Sequence, residues 1–208
     1  MESVFIYWDN SNIFIEAQSL AKQREVSPHA HHRVRIQFEN LLRLAHADRP
    51  IKRARAAGSV PPEMEPLWDK MKDQGIDVQL FHRGGQGIGE QEMPDYFLQK
   101  CMAEDALDYK ETPGIAVLLT GDGAGYQEGE GFHSTIERMH KNGWRIEVLS
   151  WKHSCKQAMR EWAEENGKFI ALDDFYESIT FLEPSKPGYE PVPPRDAAKL
   201  DLSRRAIS

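Results

Sequence analysis

Three aspartates stand where an apolar strand pattern ends or a new helix begins. Asp9 follows the apolar run at residues 4–8, and Asp122 follows the run IAVLL and a Thr-Gly pair. Asp95 follows Pro94, which marks the start of a predicted helix. In a parallel α/β sheet the carboxyl ends of the strands and the amino ends of the helices meet at one edge. We therefore expect the three carboxylates to converge.

Converging carboxylates are typical of a site for a hard cation. Carboxylate oxygens suit Mg²⁺ or Mn²⁺, and such ions can hold a phosphodiester and activate water for in-line attack. Without a cation, the crowded acids would repel each other and raise one another's pKa values. Each aspartate also has a simpler interpretation: Asp9 as a helix cap, Asp95 as a complement to a helix dipole, and Asp122 as a turn residue.

The elements that would position these aspartates alternate between strand and helix. Apolar β-rich runs predict strands at 3–8, 50–57, 76–81, 115–119, 144–150 and 168–172. Helical periodicity predicts helices at about 13–22, 36–46, 62–74, 94–109, 132–142 and 154–165. This alternation predicts a parallel sheet covered by helices on both faces, with loops at 25–33 and 82–92.

The chain is expected to form one domain followed by a tail. A length of 208 residues fits one domain, which we place at 1–182. Residues 183–208 contain five prolines and few apolar residues, so a disordered or loosely docked tail is expected there. The composition of this tail fits a linker and equally fits a segment that binds a protein partner, and a homodimer is also left open.

The basic residues are concentrated in one part of an acidic chain. The net charge is −7, but residues 17–60 carry nine basic and three acidic side chains, so that this region is at +6 and the remainder at −13. The nine are Lys22, Arg24, Arg33, Arg35, Arg43, Arg49, Lys52, Arg53 and Arg55. We expect the region around Arg33, Arg35, Arg43 and Lys52 to hold substrate phosphates, although solvated helix faces would give the same pattern.

Other features of the sequence exclude several classes of protein. No run approaches the roughly 18 apolar residues of a membrane span, and no basic leader precedes the first strand, which favours the cytosol. Cys101 and Cys155 have no C-x-x-C spacing and are expected to be buried thiols. The glycines at 121–131 match neither a P-loop nor a dinucleotide fingerprint, and no G-x-S-x-G motif is present.

The landmarks together resemble the NYN domain family of the PIN-like nuclease superfamily. They are D-x-x-N at Asp9 to Asn12, the helix opening PDYFLQKCMAEDAL, a strand that runs into T-G-D, and NGWRIEVLSW. The resemblance covers roughly residues 3–182. It implies a three-layer α/β/α PIN-like fold with a mainly parallel sheet, and metal-dependent endonuclease action on RNA, which we expect to be single-stranded. It also implies that Asp9, Asp95 and Asp122 are the catalytic metal-site acids and that Asn12 is an accessory polar residue at the substrate.

One departure from the family pattern bears on the metal site. Many relatives have S-G-D-x-D-F after the fourth strand, whereas here Asp122 is followed by Gly123 and Ala124, so the second acid is missing. Glu128 or Glu130 in the same glycine-rich loop could supply a carboxylate. If neither does, three acids remain, which suffice for one metal.

The amino end of the following predicted helix is a second candidate for phosphate contact. His133 and Ser134 lie there and could contact the substrate, although capping the helix is the simpler role. Two other functions also stay open at this point. The chain could be a catalytically weak module that binds RNA or a protein partner, or a metal-dependent hydrolase of small phosphorylated compounds.

Overall fold

The computed structural model describes residues 2–27, 29–60, 65–82, 93–121, 131–185 and 191–208. Its strands are β1 (Val4–Asp9), β2 (Val34–Ile36), β3 (Ile51–Val60), β4 (Asp77–His82), β5 (Ile115–Leu119), β6 (Arg145–Ser150), β7 (Lys168–Ala171) and β8 (Thr180–Leu182). Its α-helices are α1 (Asn10–Arg24), α2 (Ala30–Arg33), α3 (Phe38–His46), α4 (Glu65–Asp73), α5 (Met93–Asp108), α6 (Gly131–Lys141), α7 (Gln157–Asn166) and α8 (Tyr176–Ile179). Short 3-10 helices cover Leu172–Phe175 and Leu202–Arg204.

The central sheet has six strands in the order β4-β3-β1-β5-β6-β7. Every neighbouring pair in this sheet is parallel. Helices cover both faces, so the three-layer α/β/α class is confirmed. The first strand lies in the middle of the sheet, between β3 and β5.

The six predicted strands and six predicted helices are all present, with ends that differ by up to three residues. The structure adds four short elements that the sequence did not predict, namely α2, β2, α8 and β8. The predicted loop at 25–33 contains α2. Residues 83–92 of the other predicted loop lie outside the described residues, as do residues 122–130.

The side chains of β1 alternate between two apolar layers. Val4, Ile6 and Trp8 pack on one side of the sheet with α1 and α3. Phe5 and Tyr7 pack on the other side with α5 and α6. Because both faces are covered, the strand is apolar throughout until Asp9, which explains the uninterrupted run in the sequence.

The described part of the tail packs against the domain, whereas the sequence led us to expect disorder or loose docking. Arg195 forms an antiparallel bridge with Leu182 and an ion pair with Glu25. Leu200 joins the core on the α1 side of the sheet. The tail is held largely by its arginines rather than by apolar burial, and composition does not reveal such pairs. Residues 186–190 lie outside the described residues.

A buried ion cluster on β6 anchors the end of this segment. Glu147 is fully buried, and Arg49 donates to both of its oxygens at 2.8 Å. Arg205 donates to Oε2 at 2.5 Å, and the backbone N–H and hydroxyl of Ser208 each donate to Oε1 at 2.8 Å. Burial raises the pKa of Glu147, but the arginines and Ser208 outweigh it and lower the pKa to about 2.

The Arg205→Met variant should lose about 3 kcal/mol of unfolding free energy, because it leaves Glu147 buried with one of its two guanidinium partners. The matched control is Arg204→Met at the exposed neighbouring position, which should change stability by less than about 0.5 kcal/mol. Urea denaturation of both variants measures the difference. Equal losses in the two variants would show that Arg205 does not anchor the segment.

The pH dependence of stability should also report this cluster. Because the folded pKa of Glu147 is about 2 against an ordinary 4.5, its stabilisation is complete above pH 4.5 and is lost as the pH falls through 2. The wild-type protein should therefore lose about 3 kcal/mol more than Glu147→Gln over that interval. Denaturation curves between pH 5 and pH 2 test this, and parallel pH profiles would contradict it.

Candidate active site

Asp9 ends the central strand and begins the first helix. Its backbone is extended, and its side chain caps α1 by accepting from the backbone N–H of Asn12 at 3.3 Å. The side-chain amide of Asn12 donates to the other carboxylate oxygen at 2.7 Å. The D-x-x-N spacing therefore places two donors on the carboxylate. The sequence led us to expect Asn12 at the substrate. In the structure Asn12 binds Asp9, so it would affect the substrate through the orientation of the Asp9 carboxylate.

The direction of α5 brings Asp95 to the same edge of the sheet as Asp9. The buried Asp105 near the end of α5 accepts from the Tyr7 hydroxyl at 2.9 Å and pairs with Arg53, the register partner of Phe5. The end of α5 thus lies at the level of Phe5 and Tyr7. At the start of the helix, the Phe97 ring meets Phe81 near the carboxyl end of β4, so α5 runs antiparallel to β1. Ten helical residues rise about 15 Å and four strand residues about 13 Å, which brings Asp95 to the level of Asp9.

Strand alternation also places Asp9 on the sheet face that α5 covers. Phe5, Tyr7 and Asp9 share one side of β1, and Phe5 and Tyr7 pack against α5. Asp95, in the first turn of α5, is partly exposed. These contacts support the prediction that Asp9 and Asp95 lie at one edge of the sheet and on one side of the central strand.

The chain leaves β5 beside the same turn of α1. A Cβ at Gly121 would lie 2.4 Å from the carbonyl oxygen of Asn12, so only glycine permits this approach. The Gly121 carbonyl accepts from the hydroxyl of Ser150 at 3.1 Å and from that of Ser154. These contacts from β6 and the turn after it fix the backbone immediately before Asp122. Asp122 itself, like Glu128 and Glu130, lies outside the described residues.

The serines that hold Gly121 were missed by the sequence reasoning. Ser150 is the last residue of β6 and is fully buried, and Ser154 follows in the next turn. A serine directly after the apolar pair Val148 and Leu149, at the carboxyl end of a strand, was the available signal in VLSWKHS.

The described residues do not by themselves complete a metal site. Within residues 2–121 and 131–208, excluding the segments that the structure does not describe, no group of three His, Cys, Asp or Glu side chains is placed to hold a metal ion. The donor chemistry nevertheless fits a hard cation, because Asp9 and Asp95 offer carboxylate oxygens at one edge.

His133 and Ser134 lie inside the first turn of α6 rather than at its cap. Both are buried. His133 Nε2 lies 3.6 Å from Glu137, and its ring meets Trp162 edge-on at 5.9 Å. Burial lowers the pKa of His133, although Glu137 acts in the opposite direction. The buried imidazole packs on α7, and the phosphate contact that the sequence suggested stays a prediction.

Two of the four basic residues that were expected to hold substrate bind the tail. Arg33 is 5% exposed and donates to the Glu183 and Pro193 carbonyls and to Ser27. Arg35 pairs with the Glu183 carboxylate at 2.7 Å. These contacts hold the segment after β8 and occupy the Arg33 guanidinium inside the protein, and a role of Arg33 and Arg35 at the substrate stays a prediction.

Of the other two basic residues, Lys52 lies away from the edge where Asp9 lies, and Arg43 pairs with a nearby acid. Lys52 stands at the start of β3, five residues before Ala57, the register partner of Asp9. That separation is about 16 Å along the strand, so Lys52 lies toward the opposite edge of the sheet. Arg43 lies in the last turn of α3 and pairs with Asp48 at 3.4 Å. The sequence shows how many basic residues are present, but it does not show which edge of the sheet each one reaches.

A comparison with family models matches the NYN domain over residues 3–173. The chain belongs to the NYN domain family. This membership places it in the PIN-like nuclease superfamily and agrees with the parallel sheet and with the order of its landmarks. A comparison with curated proteins gives no match. None of the helices in the described part of the chain is both long and apolar enough to cross a membrane.

The contact between Gly121 and Asn12 gives a stability prediction. Gly121→Ala should cost about 2–3 kcal/mol, because its Cβ would meet backbone that cannot move away easily. Gly75→Ala is the matched control: its site has no atom within 4 Å, but its φ of +78° should cost about 1 kcal/mol. Urea denaturation compares the two. A Gly121→Ala protein as stable as the wild type would mean that the two segments are not in close contact.

Proposed function

We propose that this protein is a metal-dependent ribonuclease that hydrolyses RNA phosphodiester bonds at the edge formed by Asp9, Asp95 and Asp122. The observation that carries the proposal is the position of Asp9. It ends the central strand, we place it at the level of the first turn of α5, which carries Asp95, and its partner Asn12 touches Gly121, the residue before Asp122. Membership of the NYN family supports the same chemistry.

The proposed roles follow from the contacts of each residue. Asp9, Asp95 and Asp122 hold Mg²⁺ or Mn²⁺, which when bound neutralises phosphate charge and lowers the pKa of water. Asn12 fixes the orientation of the Asp9 carboxylate with its side-chain amide. Ser150 and Ser154 hold the Gly121 carbonyl, so the chain enters the Asp122 loop from a fixed point. Glu128 or Glu130 supplies the further carboxylate that the family motif places two residues after Asp122.

The Asp9→Asn variant should lose cleavage by a factor of at least about 100, since a neutral amide binds a divalent cation far more weakly than a carboxylate does. Asparagine is itself a good helix cap, so folding should be retained. The assay is Mn²⁺-dependent cleavage of a labelled single-stranded RNA, with Asp69→Asn on an exposed face of α4 as the control. Cleavage that persists in Asp9→Asn, or that continues in EDTA, would contradict the proposal.

A second candidate is an RNA-binding module that does not cleave. It is favoured by Ala124, which stands where many relatives have the second acid of the T-G-D loop. RNA binding without cleavage across Mg²⁺ and Mn²⁺ concentrations would identify this function. Hydrolysis of small phosphoesters without action on RNA would instead indicate a phosphatase.

A further inference from the structure

A groove of about 320 Å³ lies between α5 and α6. Its α5 side is formed by Tyr96, Gln99, Lys100 and Ala103, which recur every three or four residues and so share one face of the helix. Ala106 from α5 and Thr135, Arg138 and Met139 from α6 complete the lining. The lining thus combines the apolar Ala103, Ala106 and Met139 with polar and charged side chains.

The groove begins next to the candidate active site. Both helices start at the sheet edge where Asp9 lies, because each follows or precedes a parallel strand in the alternating fold. Tyr96 directly follows Asp95 along α5, and Thr135 lies in the opening turns of α6. A nucleic-acid strand bound at the edge where Asp9 lies would therefore have the Tyr96 end of the groove beside it.

Tyr96 is unusually exposed for an aromatic residue. It is 72% exposed, and among the described residues no other Phe, Trp or Tyr side chain is exposed to that degree. A large ring held in water at the mouth of a groove offers a flat apolar face. Nucleobases stack on such faces whatever their identity.

Both of the charged side chains that line the groove are positive. Lys100 and Arg138 are the charged residues among the described lining, and Gln99 and Thr135 add neutral polar atoms. Lys100 Nζ lies 3.6 Å from Glu104, but both side chains are largely exposed, so this pair is weak and screened by salt. An aromatic face flanked by two cations suits an anionic polymer of flat bases better than it suits an apolar peptide.

We propose that the α5–α6 groove binds single-stranded RNA next to the acidic edge, with a base stacked on Tyr96 and the flanking phosphates near Lys100 and Arg138. This inference rests on the proposed function, because it assumes that RNA is the substrate. It differs from the sequence expectation, which placed the substrate on the basic region at residues 17–60.

The test is fluorescence anisotropy with a labelled single-stranded RNA in EDTA, so that binding is measured without metal or cleavage. Tyr96→Ala should raise Kd about tenfold, whereas Tyr96→Phe keeps the ring and should stay within about twofold of the wild type. Leu107→Ala is the matched control, since Leu107 is 76% exposed at the far end of the same helix. It should bind like the wild type.

Two further measurements separate stacking and phosphate contact from a structural effect. With a fully abasic strand of the same length, Tyr96→Ala and the wild type should bind equally, because no base remains to stack. Lys100→Gln and Arg138→Gln should each reduce the slope of log Kd against log salt by about 0.7. Unchanged slopes, or a loss in Tyr96→Ala that persists on the abasic strand, would overturn the assignment.

The outcomes also distinguish this inference from the proposed function. If the wild type cleaves RNA and Tyr96→Ala binds and cleaves like it, the groove assignment fails while the nuclease stands. If the wild type neither binds nor cleaves RNA, both fail. If Tyr96→Ala leaves RNA binding unchanged but dissociates an oligomer of this chain, the groove is a protein interface and the assignment to RNA is wrong.

Discussion

The parallel pairing of β1 with both β3 and β5 is the constraint on which the site depends. It aligns Asp9 with Ala57 on one side and brings the end of β5 beside it on the other. Because the sheet is covered on both faces, β1 cannot slip by one residue without moving Phe5 and Tyr7 into the layer built for Ile6 and Trp8. The packing of four large apolar side chains therefore fixes where the Asp9 carboxylate emerges.

That position has an energetic cost, which the local structure partly offsets. Asp9 is 1% exposed, and a buried carboxylate loses several kcal/mol of hydration. The amino end of α1 favours a negative charge, and two donors from Asn12 reach the carboxylate. Both of these donors are neutral groups of Asn12. By contrast, Glu147 at the centre of β6 binds two arginines. Its low pKa reflects an ion cluster that has a structural role.

The parts of the fold that sequence predicted are those with a strong local signal. The strands β1 and β5 are apolar on both faces, and α3, α6 and α7 have clear helical periodicity, so the order of these elements and their approximate ends could be predicted directly. The pair β2 and β8 has three residues in each strand and joins positions about 145 residues apart, which no local pattern can show. That Asp9 and Asp95 share an edge stays a prediction, which the contacts of Asp105 with Tyr7 and of Phe97 with Phe81 support. The local sequence marks Ser150 at a strand end, but the acceptor of the Ser150 and Ser154 hydroxyls and the pairing of Arg205 with Glu147 depend on long-range contacts and could not be predicted.

The basic region shows why a count of charges is a poor guide to a nucleic-acid surface. Arg33 and Arg49 are nearly buried. Their guanidinium groups donate to carbonyl oxygens and to Glu147, so they add little to the electrostatic field outside the protein. Lys52 lies toward the opposite edge of the sheet from Asp9. A protein with a net charge of −7 must therefore bind a phosphate backbone through local contacts rather than through its overall field. In the proposed groove, Lys100 and Arg138 would supply such contacts, because they flank an exposed ring on helices that begin at the edge where Asp9 lies.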